Sequence, residues 1–72
     1  MAQSSARKQV FRIKRTDKQI YYVSGTTQYH WTPHRWQATK CFNMDSVLIS
    51  MRIIHINEHI PFEQLLIEKD WE

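Results

Sequence analysis

Residues 55 to 59, His-Ile-Asn-Glu-His, have the form H-x-x-E-H. On a helix this spacing places two histidines on one face as zinc ligands, with the glutamate beside them as a general base. His30 and His34, in the stretch HWTPH, repeat the four-residue spacing, and Cys41 is the one thiol in the chain. A hydrolytic zinc centre also needs a third protein ligand, an open coordination position and a walled cleft. Asn57 and Pro61 argue against a helix that runs through His59, Pro33 bends the first histidine pair, and nothing in the order of residues makes the groups converge. Surface or partly buried histidines are therefore expected, and chelation is expected to leave the fold intact. Cys41 lacks a recognisable base and oxyanion site and reads as a small hydrophobe on a strand. The chain has no glycine-rich phosphate loop, and its seven carboxylates form no recognisable acid/base pair. No catalytic residue, metal or cofactor is expected.

A richer concentration of functional residue types lies elsewhere. Tyr21, Tyr22, Tyr29, Trp31 and Trp36 fall within a short span together with Arg35 and two histidines. Tyrosine, tryptophan and arginine are the residues enriched at interaction hot spots, and aromatic rings also stack on bases. Arg7, Lys8, Arg12, Lys14, Arg15 and Lys18 make the start of the chain basic, whereas Glu63, Glu68, Asp70 and Glu72 make its end acidic. Two readings of that asymmetry stand side by side. The basic stretch contacts phosphate, or two strands of opposite charge lie next to each other. The candidate binding residues are Arg12, Lys14, Arg15, Tyr22, Tyr29, Trp31, Arg35 and Trp36.

These side chains must be positioned by a small scaffold. Residues 1 to 8, MAQSSARK, have no apolar periodicity and read as a mobile basic tail, leaving residues 9 to 72 as a single domain. From Phe11 apolar and basic residues alternate, as on a half-buried strand. TDKQ at 16 to 19 makes a polar turn, and IYYVS at 20 to 24 forms the second arm of a hairpin. A long loop through Pro33 follows. QATKCF, at 37 to 42, then alternates again and reads as a third strand, with Ala38 and Phe42 on one face and Trp36 sharing their parity. Past Phe42 the period becomes helical: Asn43 is a candidate cap, Asp45 sits in the first turn, and Met44, Val47, Leu48, Met51 and Ile54 or His55 form the expected core stripe. Leu48 in that stripe is expected to be a core residue whose truncation unfolds much of the population. Ile49, Ile53 and Ile56 extend the apolar surface beyond one stripe, so the helix is either deeply buried or offers a face to a partner. After Pro61, FEQLLIEKDW reads as a last strand with Leu65, Ile67 and Trp71 on one face. The expected fold is a small two-layer α+β domain of order β-β-β-α-β, its antiparallel sheet covered on one face by the helix.

Seventy-two residues suffice for one core. A hydrophobic content of 42% with 24% charged residues and a single glycine places the chain among folding rather than disordered sequences. One cysteine precludes an internal disulfide, and no stretch has the length and apolarity of a signal peptide or membrane span. A soluble, cytoplasmic protein in a bacterial or phage-infected host cell is the expectation.

The order of a basic first strand, an aromatic second strand, a Trp-bearing loop, ATKCF, a helix starting near Met44 and a terminal strand resembles small accessory proteins of phages and other mobile elements. The resemblance spans residues 10 to 71 and is nearest at Trp31, Ala38, Phe42 and the helix start. Proteins of that kind, anti-CRISPR inhibitors and host-takeover proteins among them, act by binding and obstructing a host machine. The resemblance therefore implies a non-enzymatic inhibitor of a host protein or nucleoprotein assembly. This chain departs from the pattern by placing aliphatic residues where the helix ordinarily carries exposed Glu and Lys, which favours a contact surface there. A nucleic-acid-binding module is the alternative, no membrane partner is expected, and the apolar helix face is a candidate homodimer contact.

Overall fold

In the computed structural model, which describes residues 8 to 25 and 28 to 71, β1 (Gln9–Arg15) lies at the centre of the architecture. It pairs antiparallel along its whole length with β4 (Leu65–Trp71), from Gln9 opposite Trp71 to Arg15 opposite Leu65. On its other side it meets β2 (Ile20–Val23) through Lys14–Tyr21 and Arg15–Ile20. The connecting turn is Thr16 to Gln19, as its polar sequence suggests; Gln19 takes the left-handed conformation at φ 55° and its amide donates to the Thr16 carbonyl. β3 (His30–Thr32) adds to β2, giving a four-stranded sheet of order β3-β2-β1-β4. One helix, α1 (Met44–Glu58), packs against a face of that sheet, so the α+β class and the element order are as expected.

The third strand is not where the alternation in QATKCF places it. It is His30–Thr32, inside the stretch read as a long loop, and residues 35 to 37 instead form a 3₁₀ turn. Two facts explain the difference. The Trp31 ring has a half-buried site against Tyr22 and Tyr29, which makes the residues around it the better partner for β2. The later stretch pairs only pointwise: Thr39 N–H donates to the Tyr22 carbonyl, and Cys41 exchanges both backbone bonds with Phe11. Ala38 is accordingly 6% exposed while Phe42 is 55% exposed, although their parity is the same.

Asn43 caps α1, its side chain accepting from Ser46 N–H at 2.8 Å, and Asp45 occupies the first turn. The helix ends at Glu58 because His59 turns left-handed at φ 56°, ahead of Pro61. Val47, Met51 and Ile54 enter a core with Phe11, Ile13, Tyr22, Ile60 and Leu65; Met44 and Ile67 pack at its margin. Leu48 does not belong to this core. It is 50% exposed, because the sheet covers a stripe centred on Val47, Met51 and Ile54, and Leu48 lies beyond its edge. Trp71 shares parity with Leu65 and Ile67 but lies at the far end of β4, exposed.

The opposite sheet face carries Arg12, Lys14, Tyr21, Thr32, Glu68 and Asp70, placed together by the register. The segment after Pro33 folds over this side: Arg35 reaches Glu68 and Asp70, and Thr32 Oγ donates to Gln37 Oε1. Val10, Tyr21 and Ala38 are buried outside the main cluster. The expected tail lies outside the described residues except for Lys8, whose ammonium sits 6.0 Å from the Phe42 ring centroid. Among the described residues no helix is long and apolar enough to cross a membrane.

Candidate interaction surface

The aromatic cluster divides into an inner and an outer part. Tyr22 is buried in the core, and the rings of Tyr22, Tyr29 and Trp31 make a mutual triad with centroids 5.5 to 6.3 Å apart, two of the contacts edge-on. Trp31 Nε1–H donates to Glu58 at 3.0 Å, and the Arg15 guanidinium lies over the Trp31 ring at 5.7 Å. Burial, reinforced by a hydrogen bond to Glu58, pushes the Tyr29 phenol up to about 12. These three rings therefore tie β2 and β3 to the end of α1 and present little to a partner. Trp36 is the outer part. It is 76% exposed on the 3₁₀ turn and stacks on His34 with centroids 5.9 Å apart.

The basic residues are held by carboxylates. Arg12 is nearly buried and reaches Asp70 at 3.5 Å; its Nε has no hydrogen-bond partner among the described residues. Lys14 lies 4.0 Å from Glu68 and over the ring of Tyr21, whose hydroxyl also donates to Glu68. Arg35 bridges Glu68 and Asp70 at 3.1 and 3.0 Å. Arg15, on the helix side, pairs with Asp17 at 2.8 Å and Glu58 at 3.4 Å. Each cation of the candidate set thus faces an acid, in the arrangement of neighbouring strands of opposite charge. Asp70 is held below the ordinary carboxylate range, first by the Trp71 backbone N–H and then by Arg35. Arg12, Lys14 and Arg35 form one network with Tyr21, Glu68 and Asp70, while Arg15 belongs with Tyr22, Tyr29 and Trp31 on the other side of the sheet.

His55, Glu58 and His59 do not converge. Because the helix stops at Glu58, His59 leaves the face that His55 occupies. His55 Nδ1 lies 2.6 Å from the Ile60 carbonyl, a contact that requires its proton there, and the ring stacks on Phe62 at 4.2 Å. Glu58 is engaged by Trp31 and Arg15. Among the described residues no group of three or more His, Cys, Asp or Glu is arranged to hold a metal ion. Burial pushes the Cys41 thiol up, which disfavours the thiolate.

Two surface features were not singled out among the candidate site residues. Phe42, Leu48, Ile49, Ile53, Ile56, Phe62, Leu66 and Trp71 are all exposed large apolar side chains, four of them on the outward side of α1. The signal for Ile49, Ile53 and Ile56 was their spacing, which sets them away from the buried stripe; for Leu48 the spacing pointed to the core instead. Asp45 and Arg52, also exposed, lie on that same outward side. No protein-family model, curated protein or solved structure matches this chain.

Proposed function

We propose that the chain is a non-enzymatic binding protein that modulates or inhibits a protein or nucleoprotein assembly of a host cell, the mode of action of phage-encoded inhibitors of the anti-CRISPR type. The observation that carries this reading is the partition of the aromatic and basic cluster. Tyr22, Tyr29 and Trp31 pack inward and Arg12, Lys14, Arg15 and Arg35 face carboxylates, while Trp36 remains 76% exposed. A large ring on a turn anchored by Arg35 through two ion pairs loses little conformational freedom on docking, which is the character of a hot-spot residue. Nucleic acid is the less favoured partner, because phosphates would have to compete with Glu68 and Asp70 for Arg12, Lys14 and Arg35.

The test begins with affinity capture from bacterial lysate with and without nuclease, followed by titration of the recovered partner. Trp36→Ala is expected to weaken binding roughly tenfold or more. Lys14→Gln is expected to do less, with shallow salt dependence, whereas Arg35→Gln also frees the turn that carries Trp36 and is compared through its salt dependence alone. Arg12 is unsuited to this comparison because it is buried. A dominant effect of the Lys14 variant, with steep loss of affinity in salt, would transfer the assignment to nucleic acid binding.

A further inference from the structure

Asp45, Ile49, Arg52 and Ile56 occupy positions i, i+4, i+7 and i+11 of α1, so they run along one line of the helix, opposite Val47, Met51 and Ile54. The spacing is that of a coiled-coil seam, and Leu48 and Ile53 flank it. Ile49 and Ile56 are about 60% exposed, at 61% and 60%. The seam's isoleucines alternate with one acid and one base, and apolar residues at this spacing are the ones a second helix covers. We infer that this seam faces the same seam of a second copy of this chain, the two helices crossing antiparallel about a two-fold axis.

The choice of a second copy rests on self-complementarity. The seam carries one acid and one base, Asp45 and Arg52, two helical turns apart, or about 10 Å. In an antiparallel pair related by a two-fold, Asp45 of each protomer lies beside Arg52 of the other, so a single register forms two equivalent ion pairs. That register also sets Leu48 against Ile49 across the axis. It directs Ile56 toward the partner's helix start, where Phe42, exposed immediately before the Asn43 cap, lies. The exposed apolar residues of the seam thereby acquire apolar neighbours without any further element. Antiparallel packing also opposes the helix dipoles favourably.

The size of the patch sets the expected strength. Phe42, Leu48, Ile49, Ile53 and Ile56, each about half exposed, make an apolar area on the order of 500 Å², near the upper end of what monomers leave open. That is below the ~800 Å² per partner of a standard stable interface, so the pair is a reversible dimer rather than an obligate one. The proposal does not depend on the host-partner reading, since the Trp36 turn lies over the opposite face of the sheet.

Sedimentation velocity of the full chain over a range from low micromolar to near-millimolar concentration is the test. A monomer–dimer equilibrium is expected, and Ile49→Glu and Ile56→Glu are each expected to raise its dissociation constant more than tenfold while circular dichroism and melting stay unchanged. Arg52→Glu should weaken the dimer several-fold, and adding Asp45→Lys to it should recover most of the loss. A monomer at every concentration would overturn the inference and leave the face to a different protein. A dimer that persists in both glutamate variants would overturn it by placing the contact elsewhere, at the free edge of β4 for example. Failure of the charge-exchanged double variant to recover, with its helix content intact, would overturn the antiparallel register.

Discussion

Glu58 shows how a residue suited to catalysis in one setting becomes structural in another. At the last position of α1 it receives the Trp31 indole N–H and the Arg15 guanidinium, and it also neighbours the Tyr29 hydroxyl. The aromatic triad above it and the cation beside it leave its lone pairs committed to holding β2 and β3 against the helix. Tyr29 reports on this environment. Its folded pKa, about 12, is above the value near 10 of an unfolded tyrosine, so the favourable term is complete below about pH 10 and is lost as pH rises toward 12. Phenolate absorbance in an alkaline titration is expected to show one tyrosine ionising last, near pH 12, and Tyr29→Phe should abolish that step. If the step near pH 12 survives in Tyr29→Phe, Tyr29 does not occupy this half-buried position beside Glu58.

Among the elements, α1 has two unlike apolar sides, and truncation should separate them. Ile54 is fully buried, so Ile54→Ala is expected to cost about 2–5 kcal/mol in urea unfolding, a large share of the stability of a chain this small. Leu48→Ala should cost less than about 1 kcal/mol when measured at concentrations where the chain is monomeric, because half of that side chain is already in water. Comparable losses at the two positions would mean that the sheet covers more of the helix than the packing of Val47, Met51 and Ile54 implies. The same element accounts for the fate of the H-x-x-E-H stretch: the left-handed His59 ends the helix one residue before the second histidine could join the first on a common face.

For the whole molecule, the main electrostatic fact is that the basic start of the described chain and its acidic end are adjacent strands. Arg12, Lys14 and Arg35 share Glu68 and Asp70 across the sheet, so these three cations lie in a largely neutralised seam rather than on an open cationic surface. Asp70 has a lowered folded pKa, caused first by the Trp71 N–H and then by Arg35. A depressed carboxylate contributes stability above its unfolded pKa of about 3.9 and loses that contribution as pH falls through the folded value. Wild-type chain should therefore lose stability progressively below about pH 4. Asp70→Asn should show a shallower acid branch together with lower stability at neutral pH. Denaturant midpoints measured across pH check this, and an unchanged acid slope in Asp70→Asn would remove Asp70 from the network.

Local chemistry was sufficient for several of these features. The existence of the β1 strand, the polar turn at 16 to 19, the cap at Asn43 and the stop before Pro61 all depend on residues within a few positions of one another, and such signals are written in order along the chain; the half-buried alternation expected of β1 does not hold, because the segment after Pro33 covers its second face and buries Arg12. The opposed charges of the two ends were legible as well, although whether they met a partner or each other was not. Tertiary structure decided whatever required a distant partner. Trp31 drew its own segment into the sheet because Tyr22, Tyr29 and Glu58 form its site, and QATKCF, whose backbone meets the sheet at Phe11 and Tyr22, remained irregular with an isolated bridge. Periodicity made both Leu48 and Ile54 apolar members of one helix, but only the position of the sheet beneath it separated the buried residue from the exposed one.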